Sequence, residues 1–264
     1  MDPPDGIRLV ELGCGQDEEG VDFYNDRYLE VRGYKFLDLD GDGVWDKDAE
    51  PGIAKVTVTL THVVEEENGA AEATVLNSLV LTTETDEDGY FCFQGLLPGK
   101  YLVEVDESTV PPGHYASTPN PVEVELGCGE PAEVLFGNAP YVDISGHKWE
   151  DSNCNGKQDA GELGVPGVKV VLLDSEGHEV ASFTTGADGA YAFADLKPGV
   201  YTVKEALTDV QLAAWFYVSP AEGMHKEVKL LDGKDREGLD FYNCRYGKVT
   251  GTKYVDDGDG VLDK

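Results

Sequence analysis

The 264-residue sequence predicts an all-β chain built from tandem immunoglobulin-like β-sandwiches. Three observations carry this expectation. The chain repeats itself: "GYKF" at Gly33, "GHKW" at Gly146 and "GTKY" at Gly251 open three aligned units at a spacing of domain size. Its segments are short, alternate apolar with polar residues and are bounded by Gly, Pro, Asn or Asp, the pattern of half-buried strands joined by turns. A long amphipathic helix is missing; "ALTDVQLAAWF" (206 to 216) is the one candidate, with a loop or a single short turn as the alternatives.

The elements follow one order in both complete units: an acidic loop, then "PGIAKVTVTL" or "PGVKVVLL", "TDEDGYFCF" or "GADGAYAF", "LPGKYLVEV" or "KPGVYTVKE", and "VLFGN" or "LDFYN". "VTVTL" (56 to 60), "YAFADL" (191 to 196) and "VYTVKE" (200 to 205) show the strand alternation most clearly. About seven strands per unit is the count of an immunoglobulin-like sandwich. The first unit adds "THVVEEENGAAEATVLNS" (61 to 78), which lengthens one hairpin and makes its tip acidic; tolerated surface variation is the plain reading and a binding role the sharper one. The predicted organisation is residues 1–27 as the last strands of a preceding repeat, 28–141 and 142–246 as complete repeats, and 247–264 as the head of a third.

Against 20 Lys and Arg stand 52 Asp and Glu, a net charge of -32. Such a charge repels nucleic acid and anionic membranes and suits divalent cations or a saline exterior. The Met1 end has no signal-peptide pattern and no run of 18 apolar residues exists for a membrane span, so export and anchoring signals are expected outside this fragment.

The acids are patterned. In "DSNCNGKQDAGELG", Asp151, Asn153, Asn155, the Lys157 carbonyl, Asp159 and Glu162 stand at the positions from which an EF-hand-like loop wraps Ca²⁺, with Gly156 at the sharp turn. In "DLDGDGVWDKDAEPG" the same places hold Asp38, Asp40, Asp42, the Val44 carbonyl and Asp46, with Gly43 turning. Its closing acid is Glu50, one place late, and Asp48 is the alternative. The third copy, Asp256, Asp257, Asp259 and Asp263, is one residue short and ends before any closing acid, so weak binding at most is expected there. A solvated acidic turn is the bland alternative. Pro51 and Pro166 lead from these loops straight into strands, which points to bracing of a domain's first two strands rather than to helix-based signalling.

The order G-x-K-aromatic, acidic loop, "EPG" or "ELG", and then the strand motifs above closing on "FGN" resembles the SdrD B-like repeat of bacterial and archaeal cell-surface proteins, a relative of the Cna B-type (prealbumin-like) domain. That resemblance implies an extracellular module strung in tandem, often calcium-stabilised, forming stalks, adhesins or surface fibres. Partners so implied are calcium ions, neighbouring repeats, copies of the chain in a fibre, or a surface ligand.

Lys148 shares a strand face with Ile144 and Gly146, so an inward Ile144 brings Lys148 inward too; Lys35 stands likewise with Val31 and Gly33. A buried ammonium must be paired, deprotonated or bonded. Cna B-type domains bond such a lysine to an asparagine on the last strand with help from a buried acid, which implies an isopeptide bond from Lys148 to Asn243 assisted by Glu205. In the first unit Lys35 and Asn138 correspond, but Val105 replaces the acid and Glu104 faces outward. A salt bridge is the plain alternative.

Repeat positions further pair Cys154 with Cys244 and Cys92 with Cys128, leaving Cys14 over, with free buried thiols as the alternative. Trp45 and Trp149, beside the acidic loops, read as packing residues, and Trp215 lies in an irregular segment. The five His form no metal or triad spacing, and neither a nucleophile elbow nor a phosphate loop occurs, so no enzyme is expected. Two functions remain: a calcium-stabilised stalk, spacer or fibre region of a cell-surface protein, or an adhesive module recognising carbohydrate or a protein.

Overall fold

The computed structural model describes residues 29–63, 79–127 and 131–252. The chain divides into two compact units, Met1–Pro140 and Tyr141–Lys264. Within the first lie β1 (Leu29–Leu37), β2 (Thr57–Val63), β3 (Val80–Glu84), β4 (Tyr90–Leu96), β5 (Gly99–Val105), β6 (His114–Ala116), β7 (Val122–Leu126) and β8 (Ala132–Pro140). The second contains β9 (Val142–Glu150), β10 (Lys169–Leu173), β11 (Glu179–Thr184), β12 (Ala190–Leu196), β13 (Gly199–Ala206), β14 (Trp215–Ser219), β15 (Met224–Leu230) and β16 (Phe241–Arg245).

Each unit is a sandwich of two four-stranded sheets. The first has orders β4-β1-β8-β6 and β3-β2-β5-β7; the second has β12-β9-β16-β14 and β11-β10-β13-β15. Pairing is antiparallel except between the first and last strand of each unit, where β1 runs parallel to β8 and β9 parallel to β16. Inward side chains of both sheets form the cores: Val31, Val58, Leu60, Phe91, Phe93, Val103 and Phe136 in one, and Ile144, Val170, Leu172, Tyr191, Phe193, Val203 and Phe241 in the other. These are the alternate residues of each strand, so period-two patterning translates directly into burial.

Two details differ from the sequence expectation. Among the described residues each unit has eight strands rather than about seven, because the short β6 and β14 add to the edges of their sheets. The helical candidate condenses to α1 (Asp209–Ala214), started by a capping box between Thr208 and Gln211. Trp215 and the residues after it are β-formers and enter β14 instead. Residues 64–78 of the acidic hairpin, 1–28 and 253–264 lie outside the described residues.

One turn fixes the lysine strands. The "DG" turns before β4 and β12 place Gly89 and Gly189 at φ of +77° and +81°, and Lys35 and Lys148 each donate their backbone N–H to that glycine's carbonyl at 2.8 Å. A Cβ on Gly189 would meet the Lys148 carbonyl oxygen at 2.4 Å. Gly189→Ala is therefore expected to destabilise the second unit by about 2 kcal/mol in a urea melt, through left-handed strain and displacement of β9.

Candidate cation loops and buried lysine chambers

Both acidic loops are built around a first aspartate that is fully buried. Asp38 accepts from the backbone N–H groups of Gly41 at 2.7 Å and Gly43 at 2.9 Å. Asp151 accepts in the same way from Asn155 at 3.1 Å and Gly156 at 2.7 Å. The sixth-position glycines, Gly43 and Gly156, take φ of +77° and +75°, which turns the chain back over the aspartate. At the far end, Glu50 accepts from Leu39 N at 2.8 Å and Asp46 N at 2.9 Å, while Asp48 stays exposed, so Glu50 is the acid that turns into the first loop. Glu162 does the same in the second, from Ser152 N at 2.8 Å and Asp159 N at 3.0 Å.

The donor sets differ between loops. Asp38, Asp40 and Asp42 bring carboxylate oxygens within 4.8 Å of one another. Burial raises the Asp40 and Glu50 carboxyls above their ordinary range, and neighbouring carboxylates push in the same direction. In the second loop, carboxamides replace two acids: Asn153 and Asn155 each donate to Asp159 at 2.7 Å and hold its pKa down. An all-oxygen set with converging acids fits a hard divalent cation of the calcium type. Val44, Asp46 and Lys157 lie at the exposed rim of their loops. Asp256, Asp257, Asp259 and Asp263 lie outside the described residues.

Beneath each loop is a chamber holding a lysine. Lys148 is 0% exposed; its Nζ lies 3.7 Å from Glu205 Oε2 and donates to the carbonyls of Trp149 at 3.1 Å and Phe241 at 3.4 Å. Asn243 Nδ2 donates to Glu205 Oε2 at 3.2 Å. The other oxygens of that pair, Glu205 Oε1 and Asn243 Oδ1, are buried without a hydrogen-bond partner. Burial brings the Lys148 pKa down to about 8 and raises that of Glu205 to about 7. Trp215 roofs the chamber, its ring 5.4 Å from the Lys148 ammonium.

In the first unit, Lys35 is equally buried, donates to Asn138 Oδ1 and to the Phe136 carbonyl at 3.1 Å, and has its pKa lowered by burial to about 8. Val105 does fill the place of Glu205, but the chamber is not acid-free. Glu107, in the single 3-10 turn after β5, accepts from Asn138 Nδ2 at 2.8 Å and from Asn120 at 3.0 Å. Sequence comparison missed Glu107 because it lies two residues past the aligned position. Strand parity gives no signal for it, because β5 ends at Val105 and the 3-10 turn folds Glu107 back. Unlike Glu205, which is 1% exposed, Glu107 faces solvent.

Cys154 and Cys244 are joined in a disulfide across 90 residues, with Cα atoms 5.5 Å apart, tying the second loop to β16 directly beside Asn243. Cys154 occupies a left-handed position, φ of 60°, where the first loop has Gly41 at 73°. Reduction is expected to cost the second unit about 2–4 kcal/mol in a urea melt and leave the first unit unchanged. The pairing of Cys92 with Cys128 falls on a residue outside the described ones; Cys92 itself lies on the outward face of β4, its Sγ against Glu30. The inward face of β4 is taken by Phe91 and Phe93, so strand parity turns Cys92 away from the core and from the opposite sheet. Cys128 and Cys14 are outside the described residues.

Trp149 donates its indole N–H to Asp240 at 3.1 Å and stacks on His147, and Trp45 donates to the Glu50 carbonyl at 3.0 Å. Among the described residues no helix is long and apolar enough to cross a membrane.

Among known proteins, this chain is 33% identical over 219 residues to serine-aspartate repeat-containing protein F of Staphylococcus epidermidis, covering 76% of this chain and 12% of that protein. With serine-aspartate repeat-containing protein D of Staphylococcus aureus strain Newman it shares 31% identity over 215 residues, covering 75% of this chain and 15% of that protein. The chain thus spans a small part of the length of these relatives. Among solved structures, the shaft pilin SpaA of Lactobacillus rhamnosus GG aligns with a TM-score of 0.32 and 14% identity, over 84% of this chain and 100% of that one. The Bacillus anthracis TIE protein aligns with a TM-score of 0.32 and 18% identity, over 82% and 34%. The family profile described as SdrD B-like domain matches residues 30–124 and 143–216, one stretch in each sandwich. With more than half of its length matched in this way, the chain belongs to the SdrD B-like domain family.

Proposed function

We propose that this chain is a calcium-stabilised structural region, a stalk, spacer or fibre segment, of an extracellular cell-surface protein. The observation that carries the reading is the first loop. Three carboxylates whose oxygens lie within 4.8 Å of one another, one of them fully buried, repel strongly unless a cation lies among them. Calcium bound to these oxygens would neutralise the loop and tie the end of β1 to the start of β2. Asp38, Asp40, Asp42, Val44, Asp46 and Glu50 would hold the ion in the first unit, and Asp151, Asn153, Asn155, Lys157, Asp159 and Glu162 in the second. The Cys154–Cys244 disulfide agrees with an oxidising exterior. Thermal melting with and without EDTA tests the reading, and indifference to the chelator counts against it.

The chambers support a covalent extension of the same role. Neutral Lys148 Nζ attacks the Asn243 side-chain carbonyl carbon while protonated Glu205 donates to Oδ1. A proton passes from Nζ to Nδ2, the carbon–Nδ2 bond breaks as Oδ1 returns its proton to Glu205, and ammonia leaves, so that one amide replaces another. The partnerless Glu205 Oε1 and Asn243 Oδ1 are the pair this chemistry needs. In the first unit, Lys35, Asn138 and Glu107 have the same groups, with the acid open to water.

A further inference from the structure

We propose that the outer face of the first sandwich carries an aromatic cage for a quaternary ammonium group, walled by Trp45, Tyr34 and Tyr90. Tyr34 on β1 and Tyr90 on β4 are cross-strand partners, with ring centroids 5.2 Å apart and planes inclined at 57°. Trp45 folds back from the acidic loop against Tyr34 at 4.6 Å and 41°, pinned through its indole N–H to the Glu50 carbonyl. All three rings are half-buried, so each leaves part of its surface in solvent.

The chain itself shows which ligand chemistry the cage accepts. Lys47 places its ammonium 4.7 Å from the Trp45 centroid and 5.5 Å from that of Tyr34. Its neighbours in sequence are Asp46 and Asp48, yet among the described residues no carboxylate pairs with it. In a chain of net charge -32 this lysine lies on ring faces rather than on an acid.

Packing alone does not demand these rings. At the matching positions of the second unit stand Gln158, His147 and Ala190, and that unit builds the same sandwich with one stacked pair there, His147 on Trp149, in place of three inclined rings. The ring tilts also select the ligand. A sugar stacks on a flat platform, whereas rings inclined to one another wrap a rounded cation. A quaternary ammonium sheds its water more easily than a primary one and touches several faces at once. The surrounding negative charge favours a cation and disfavours anionic ligands.

The test titrates the whole chain with choline and tetramethylammonium chlorides, in saturating CaCl₂ and at ionic strength held with NaCl, reading tryptophan fluorescence and ring proton shifts. Calcium is constant throughout, so failure here leaves the spacer reading untouched. Saturable binding is expected, tightened about fivefold by Lys47→Ala, which removes the internal competitor. The triple change Trp45→Gln, Tyr34→His and Tyr90→Ala copies the second unit, keeps the fold and is expected to abolish binding. The uncharged isostere 3,3-dimethylbutanol should not bind. Phosphatidylcholine vesicles separate the sources: co-sedimentation assigns a lipid-borne group, and binding of choline alone assigns the free cation. Absence of saturation in Lys47→Ala, or equal binding of the uncharged isostere, overturns the proposal.

Discussion

The mature chain is expected to weigh one ammonia less than its sequence for each chamber that has closed, and Glu205→Ala to regain the ammonia of the second. The acid is the discriminating residue, because Lys148 and Asn243 remain in place when it is removed. A full mass in the unaltered protein would discard the bond. Blocking the bond with Asn243→Ala also exposes the chamber's titration. Burial raises Glu205 to about 7 from an unfolded value near 4.5, so its favourable protonated form is lost as pH rises through that window and stability falls. Burial lowers Lys148 to about 8 from 10.5, so the unfolded state holds the extra proton above pH 8 and stability recovers toward pH 10.5. Urea melts across pH should therefore show a minimum for this variant between about 7 and 8. In the bonded protein Lys148 has become an amide and no longer titrates while Glu205 still does, so the recovery above pH 8, and with it the minimum, should be missing.

EDTA is expected to lower the melting of the first unit much more than that of the second. The first loop offers carboxylates at Asp38, Asp40, Asp42, Asp46 and Glu50, while the second offers them only at Asp151, Asp159 and Glu162 and has a disulfide besides. Greater ligand charge gives tighter binding and a worse-repelling empty loop. A site held at a thousandfold excess over its Kd contributes about 4 kcal/mol. For a domain of this size, that is on the order of 15–30 °C. Two calorimetric transitions, assigned by Asp38→Ala and Asp151→Ala, would read the difference. Equal shifts, or none, would remove the loop-charge argument.

What the sequence made legible were features written at fixed spacing. Alternation placed Ile144 and Lys148 on one inward face, and the loop spacing put a glycine at the turning position of each acidic loop. Features that depend on where separate segments meet stayed hidden. Glu107 reaches Asn138 because a 3-10 turn folds it back, and no alignment to Glu205 would show that. Cys92 reads as a disulfide candidate by counting, yet the parity of Phe91 and Phe93 points it outward. The ring cluster of Trp45, Tyr34 and Tyr90 joins residues from a loop and two strands, so it emerges only once β1 and β4 pair.

In each unit the first and last strands are parallel neighbours, so tension pulling the chain by its two ends drags them past each other lengthwise. Every ladder bond between them is then loaded in shear together rather than peeled one at a time, and rupture demands that the whole row fail at once. A Lys148–Asn243 amide would lie across that same seam, converting a strong non-covalent clamp into a stretch of chain that cannot lengthen until a covalent bond breaks.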